Sequence, residues 1–363
     1  MQDCLRCLYK ETLARIQDKA PWSMCGAVEV VMKAGVWTKL GRIEFLDWPD
    51  PMVTADDVLV EVGYCGFCGS DANIIEGRMV SGTAPRVLGH EVTGVVASVG
   101  ANVKDVRPGT AVACNMWRYC GRCLWCLAGQ ASHCTDKTIS ANGFAQYAVY
   151  RPEQLYPLPE DVSLLQAVLV DPLGTCVHAA GLAGIQPGEG VLIIGGGALG
   201  MLMVQVAQLS GAATVVLSSA NPERRQLAMT LGATRAVEPS AIVPDFVNEV
   251  THQRRGFNVV FEAAGVVGRL QQALELLTHG GRLIVIGGYN EQVTISVRPS
   301  VLQDQELRIA GALGCGYSFG SALSMLSRLS TDGLITAVEP LAEIDRVHAD
   351  HRAGRYLRAA VKP

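Results

Sequence analysis

Up to about residue 170 the apolar positions come in short runs broken by glycine and proline. Val58-Leu59-Val60-Glu61-Val62, Val92 to Val99 and Ala145 to Val149 have the β-branched, strand-like character of an antiparallel or barrel-like domain. Inside this region Cys114 to Cys134 forms a cysteine-dense insert with little periodicity. Beyond residue 184 the rhythm changes. Val191 to Ile194, Thr214 to Leu217, Val259 to Phe261 and Leu283 to Ile286 read as strands, and Leu202 to Leu209, Arg224 to Leu231 and Leu270 to Leu277 as helices between them. This alternation predicts βαβ units around a parallel sheet. After about residue 315 the pattern is mixed and is expected to return to the first domain.

A chain of 363 residues with 49% hydrophobic and 18% charged positions has material for two sizeable cores. A net charge of −4 without a basic run argues against nucleic acid as a partner. The longest apolar stretches are too short to span a bilayer. The first 25 residues lack a secretory pattern, with Leu5, Leu8 and Leu13 spaced for one face of a short helix. Twelve cysteines in such a chain are expected to be reduced thiols and metal ligands in a cytoplasmic protein.

Cys120, Cys123, Cys126 and Cys134 follow the spacing C-x2-C-x2-C-x7-C. Four thiolates this close can wrap one tetrahedral zinc in a closed, structural site. An iron–sulfur cluster and a pair of disulfides are the other readings, and zinc is the expected one. A second constellation joins Cys68-Gly69-Ser70-Asp71 to Gly89-His90-Glu91. Thiolate, imidazole and carboxylate suit a zinc that keeps one position open for water or substrate, where it acts as a Lewis acid on an alcohol. A histidine after glycine is also a common loop or core residue, so this pair alone is a weak signal.

Gly195-Gly196-Gly197-Ala198-Leu199-Gly200 matches G-x-G-x-x-G directly between a strand and a helix. Gly195 serves the tight turn, Gly197 the approach of a pyrophosphate, and Gly200 close helix–strand packing. The next strand ends in Ser218-Ser219-Ala220-Asn221, without the acidic residue that would bind a ribose 2′-hydroxyl. With Arg224 and Arg225 just beyond, this favours NADP over NAD, unless both arginines are exposed helix residues.

These motifs, in this order, resemble the zinc-dependent medium-chain dehydrogenases of the alcohol and sorbitol dehydrogenase type, from about residue 26 to the C-terminus. The resemblance implies a GroES-like, barrel-type catalytic domain over residues 26–172 and 314–363, with the cysteine lobe at 114–134. It implies a Rossmann domain of six parallel strands over 173–313, after an N-terminal extension of 1–25 that the family pattern lacks. Cys68 and His90 become catalytic zinc ligands, with Glu91 adjacent and Asp71 orienting His90. Ser70 takes the proton of the alcohol. The third ligand falls in Val170-Asp171-Pro172-Leu173, where Asp171 stands in place of a Glu in the sorbitol type or a Cys in the alcohol type, with Cys176 an out-of-register fallback. Thr175, Leu199 and Ile286 to Gly288 fall where the family touches the nicotinamide. Arg358 matches an arginine that reaches the pyrophosphate and Glu91; its other reading is a surface cation. Met116 and Trp117 fall at the substrate pocket.

Two departures stand out: Asn73 occupies the place of a proton-relaying histidine, and the extension has no counterpart. His133 is expected to be solvated, while His178, His252, His279, His348 and His351 have no partner that the sequence reveals. The implied activity is hydride transfer between a secondary alcohol (polyol, cyclitol or sugar-derived) and NAD(P), with two zinc ions per chain, in a homodimer or homotetramer without a membrane partner. The rivals are a zinc-independent alkene or quinone reductase, against which the cysteines count, and a nucleotide-sensing or structural protein that kept the fold without the chemistry.

Overall fold

Alternation along Val58–Phe67 buries Val58, Val60 and Val62 while Glu61 faces solvent. The computed structural model, which describes residues 31–79, 82–251, 255–290 and 292–363, makes this strand the hub of a seven-stranded sheet. One edge pairs antiparallel with Glu91–Val99. The other edge is shared: Tyr147–Tyr150 takes its beginning and Ala359–Lys362 its end. Ala111–Cys114 and Leu155–Pro157 extend the sheet beyond Glu91–Val99, and Ala337–Pro340 lies parallel to Ala359–Lys362. Two strands sharing one edge branch the sheet at its hub, in keeping with the GroES-like, barrel-type arrangement expected. Phe67, Phe144, Tyr150 and Ile75 fill its core.

The second sheet has six parallel strands: Gly190–Ile194, Thr214–Ser218, Arg235–Val237, Phe257–Glu262, Leu277–Val285 and Arg308–Gly311. Their spatial order is third, second, first, fourth, fifth, sixth, the doubly wound Rossmann arrangement. All five residues of Gly190–Ile194 are buried, because helices cover both faces of a central parallel strand.

Two expected elements differ. The helix expected over Leu270 to Leu277 is Val267–Glu275, and Leu277 already opens the next strand by pairing with Phe257. Leu277 keeps the helical spacing of Leu270 and Leu274, but the sheet buries it. The strand expected from Ala145 is Tyr147–Tyr150, and Ala145 makes only an isolated bridge to Ala34.

The helix Val170–Ala183 runs through position 172 and packs on the helix Ala198–Leu209. Cys315, Phe319, Leu323 and Leu334 share a core with Val191 and Ile193 of the second sheet before the chain rejoins the first. The N-terminal segment with Cys4, Cys7 and the leucine face, and His252, lie outside the described residues. Among the described residues, no helix is long and apolar enough to cross a membrane.

Candidate metal centre and nucleotide cleft

Cys68 caps the helix Gly69–Ile75, and His90 and Glu91 stand where the chain enters the strand Glu91–Val99. Neighbouring strands carry these two segments: Gly66 is paired with Glu91, so Cys68 emerges beside His90. Ligand atoms of Cys68, His90 and Glu91 lie within 4.8 Å of one another. Asp71, 1% exposed, ties the group together. One oxygen accepts the Gly89 N–H at 3.3 Å and lies 3.3 Å from His90 Nδ1, and the other accepts the Cys68 N–H at 3.0 Å. Burial opposes charge on His90, but Asp71 and Cys68 outweigh it and hold the imidazole well above its usual range. A carboxylate behind an imidazole in this way strengthens it as a metal base.

Asp171, the second residue of Val170–Ala183, does not share the 4.8 Å grouping of Cys68, His90 and Glu91. Burial, reinforced by Glu91 and relieved by His90 and Arg358, pushes its carboxyl up to about 6. Cys176 lies apart from the group as well: its buried thiol donates to the Leu199 carbonyl at 3.4 Å. Thr175 turns its hydroxyl to the Asp171 carbonyl at 3.4 Å. Arg358 is no surface cation. It is 5% exposed, and its Nη1 donates to both Glu91 oxygens, at 2.7 and 2.9 Å.

The lobe brings the Sγ atoms of Cys120, Cys123, Cys126 and Cys134 within 4.8 Å of one another. A short ribbon, Trp117 on Ile139 and Arg118 on Thr138, closes its base. The Cys120 N–H donates to Cys134 Sγ and the Cys123 N–H to Cys120 Sγ, each at 3.4 Å. Backbone N–H groups of Cys126 and Thr135 hold the Cys123 thiol well below its usual value. Amide donors aimed at sulfur favour thiolates, the form a metal needs. His133 is exposed beside Trp125 and takes no part in the group.

The glycine turn has the shape a dinucleotide needs. Gly195 sits at φ +119°, and a Cβ on Gly200 would meet the Gly195 carbonyl oxygen at 1.9 Å, so neither accepts another residue without strain. Among the described residues nothing lies within 4 Å of a Cβ built on Gly197, where a pyrophosphate would approach. Ser218 ends its strand with its carbonyl accepting the Gly195 N–H at 3.0 Å. Ser219 crowds Gly196, whose Cβ would meet Ser219 Oγ at 2.5 Å. Arg224 Cβ is 3.3 Å from the same point, and its guanidinium donates to the carbonyls of Gly354 and Tyr356 at 3.4 and 3.3 Å. Arg225 folds back instead onto the carbonyls of Ser219 and Ala220.

Glu262 is a residue that the motif reading passed over. It is fully buried at the end of its strand; its carboxylate accepts the N–H groups of Ala264 and Gly265, and its carbonyl those of Ile286 and Gly287. A charge closing the apolar run Val259 to Phe261 was the available signal. Across the cleft, a Cβ on Gly288 would stand 3.6 Å from Asn73 Nδ2, so the helix behind Cys68 faces the loop after Ile286.

The family model described as alcohol dehydrogenase GroES-like domain matches residues 54–160, and the one described as zinc-binding dehydrogenase matches 198–328. The sorbitol dehydrogenase of Bacillus subtilis is 30% identical over 84% of this chain and 89% of its own. D-arabinitol dehydrogenase 1 of Uromyces fabae is 29% identical over 86% and 92%. Among solved structures, one from Sinorhizobium meliloti, assigned as a zinc-binding dehydrogenase and bound to NADP, superposes with a TM-score of 0.85 at 32% identity, covering 92% of this chain and all of its own. Donor groups, glycine turn and these similarities converge on one conclusion: the chain belongs to the zinc-dependent medium-chain dehydrogenases and is an oxidoreductase that uses zinc and NAD(P).

Proposed function

We propose that the protein oxidises a secondary alcohol of a polyol, cyclitol or sugar-derived compound, and reduces the matching ketone, with NADP as the preferred cofactor. The observation that carries this reading is the convergence of Cys68, His90 and Glu91 two residues from Ser70, on a helix facing the loop after Ile286. Cys68 and His90, completed by Asp171 or by Glu91, would hold a catalytic zinc with one position open, and Cys120, Cys123, Cys126 and Cys134 a structural one. What these groups supply is Lewis-acid polarisation of the hydroxyl and, in the nicotinamide, a hydride acceptor.

The chain's own residues do the rest. Asp71 fixes the imidazole of His90, Ser70 holds the hydroxyl proton, and Arg358 neutralises Glu91 beside the site. Thr175, Leu199, Ile286 and Gly287 flank the nicotinamide, while Gly195, Gly197 and Gly200 receive the pyrophosphate. Ser218, Ser219 and Arg224 border the adenosine ribose, where the strand end Val215 to Asn221 carries no acidic residue. The polyol preference is supported by the relatives that act on sorbitol and D-arabinitol. The same reading makes the protein a cytoplasmic homodimer or homotetramer.

Elemental analysis together with a screen of polyols against NADP and NAD tests the proposal. About two zinc ions per chain and faster turnover of polyols than of simple primary alcohols are expected. One zinc and no turnover of any alcohol would defeat it. Asp171→Ala decides the ligand set: loss of one zinc makes Asp171 a ligand, and retention leaves Glu91 to complete the site.

A further inference from the structure

The position that bears a relaying histidine in the resembling family is Asn73 here, and an amide side chain cannot titrate. Its Oδ1 is occupied by the Arg78 guanidinium at 3.0 Å. A proton left on Ser70 therefore needs another exit.

The helix Ile344–Arg352 supplies one. A Cβ on Gly69, the exposed residue next to Ser70, would stand 3.9 Å from His351 Nε2. The other nitrogen of that ring, Nδ1, is buried and has no hydrogen-bond partner among the described residues. One helical turn back lies His348, and both imidazoles rest on the ring of Phe67, with His351 and His348 centroids 5.2 and 6.2 Å away. His348 Nε2 lies 3.5 Å from Glu76 Oε1. Glu76 in turn meets Arg352 at 2.6 Å and Arg78, both well exposed. Metal-side helix, two imidazoles and a carboxylate thus lie in a row along one side of Phe67 towards the surface, with His348 Nε2 and Glu76 Oε1 near one another but not hydrogen-bonded.

We propose that His351 accepts the alcohol proton from Ser70 and passes it along this helix face, by way of His348 and Glu76, to solvent. This rests on Ser70 being the first acceptor in the reaction proposed above. The balance is simple: the alcohol carbon loses a hydride to the oxidised nicotinamide, and its oxygen loses a proton to Ser70. As it accepts, Ser70 hands its own hydroxyl proton to His351 Nε2 and so remains a hydroxyl throughout, and one proton leaves the row at Glu76. In ketone reduction the row runs inward. The groups facing His351 are Asp71, Arg358, His348 and Glu76. Burial first, then Arg358, holds its imidazole below the usual range, so at neutral pH it stands uncharged and able to accept.

The zinc-loaded full chain is tested with whichever of sorbitol and D-arabinitol it oxidises faster. His351→Ala is expected to lower kcat at pH 7 by about a hundredfold, the low end of positioned acid–base catalysis. The loss should shrink towards pH 9, and both added imidazole and a second substitution, Asn73→His, should restore turnover. An unchanged pH profile, or an equal loss at every pH without imidazole rescue, would overturn the relay. A readout without turnover is the NMR titration of the histidine rings. Glu76→Gln should lower the midpoints of both His348 and His351, and a His351 signal indifferent to that change would count against a connected row. Ser70→Ala separates the two ideas: if it leaves oxidation intact, the site assignment fails, whereas if it stops oxidation and His351→Ala does not, only the relay fails.

Discussion

Arg358 and Glu91 meet in the interior, with Nη1 of the arginine within 2.9 Å of both carboxylate oxygens and neither residue more than 5% exposed. The pair joins the segment entering the last strand of the chain to the strand that begins at the metal centre, 267 residues apart. Removing one partner of such a pair leaves the other charge buried and alone. Arg358→Leu is expected to cost about 3–5 kcal/mol in stability. The double replacement of Arg358→Leu with Glu91→Gln should cost less than Arg358→Leu alone. Denaturant unfolding of the two variants checks this, and equal losses would show that the Glu91 charge is already satisfied without Arg358.

The four-sulfur lobe is small, with one helix of four residues and one 3-10 turn, and little apolar packing of its own. Its order is expected to come from the metal, as in other small metal-folded units. Cys126→Ser should release one zinc per chain and make the segment around 120–134 the first site of limited proteolysis. The Cys68–His90 centre should keep its zinc. Simultaneous loss of both ions would mean that the two sites are not independent.

The sequence is most legible where one local rule decides the outcome. The glycine turn with its flanking strand and helix and the four-cysteine spacing are readable, because each needs only residue types at fixed offsets; Cys68 and His90, 22 positions apart, are joined in the sequence only by the family resemblance. What depends on distant chain segments is not. Glu262 holds the turns at Ala264 and Ile286 through its own carboxylate and carbonyl, contacts no offset predicts. His348 and His351 have no partner in sequence because Glu76 and Phe67 reach them from the other end of the domain. Leu277 reads as helical because its spacing from Leu270 and Leu274 satisfies the helical period, while its burial comes from Phe257 across the sheet.

His178 is half-buried, and burial, followed by His133, lowers its pKa from the usual imidazole value. The folded state therefore holds fewer protons at this site than the unfolded chain. Its contribution to stability is complete above the unfolded pKa of about 6.5 and is lost as pH falls through the folded value. The thermal midpoint is expected to decline below about pH 6.5, and His178→Asn should flatten part of that decline. A variant with the same acid limb as the parent would assign the loss to other groups.

The proposed preference for NADP points to the surroundings of Gly196, where Ser219 and Arg224 close on the turn. Arg224 spends its guanidinium on two carbonyls, those of Gly354 and Tyr356, and makes no ion pair among the described residues, so it keeps charge to offer a phosphate. A charged hydrogen bond from it to the 2′-phosphate is worth about 1.5–3 kcal/mol. Arg224→Ala should therefore reduce kcat/KM with NADP by roughly ten- to a hundredfold, and change the value with NAD little. Ser219→Asp adds the opposite influence, a carboxylate that repels the phosphate and can accept from a free 2′-hydroxyl. It should raise the NAD to NADP ratio further, and combining the two should give more than either alone. If Arg224→Ala weakens NAD and NADP equally, the arginine serves only to hold the Gly354–Tyr356 segment, and the preference for NADP must come from elsewhere in the cleft.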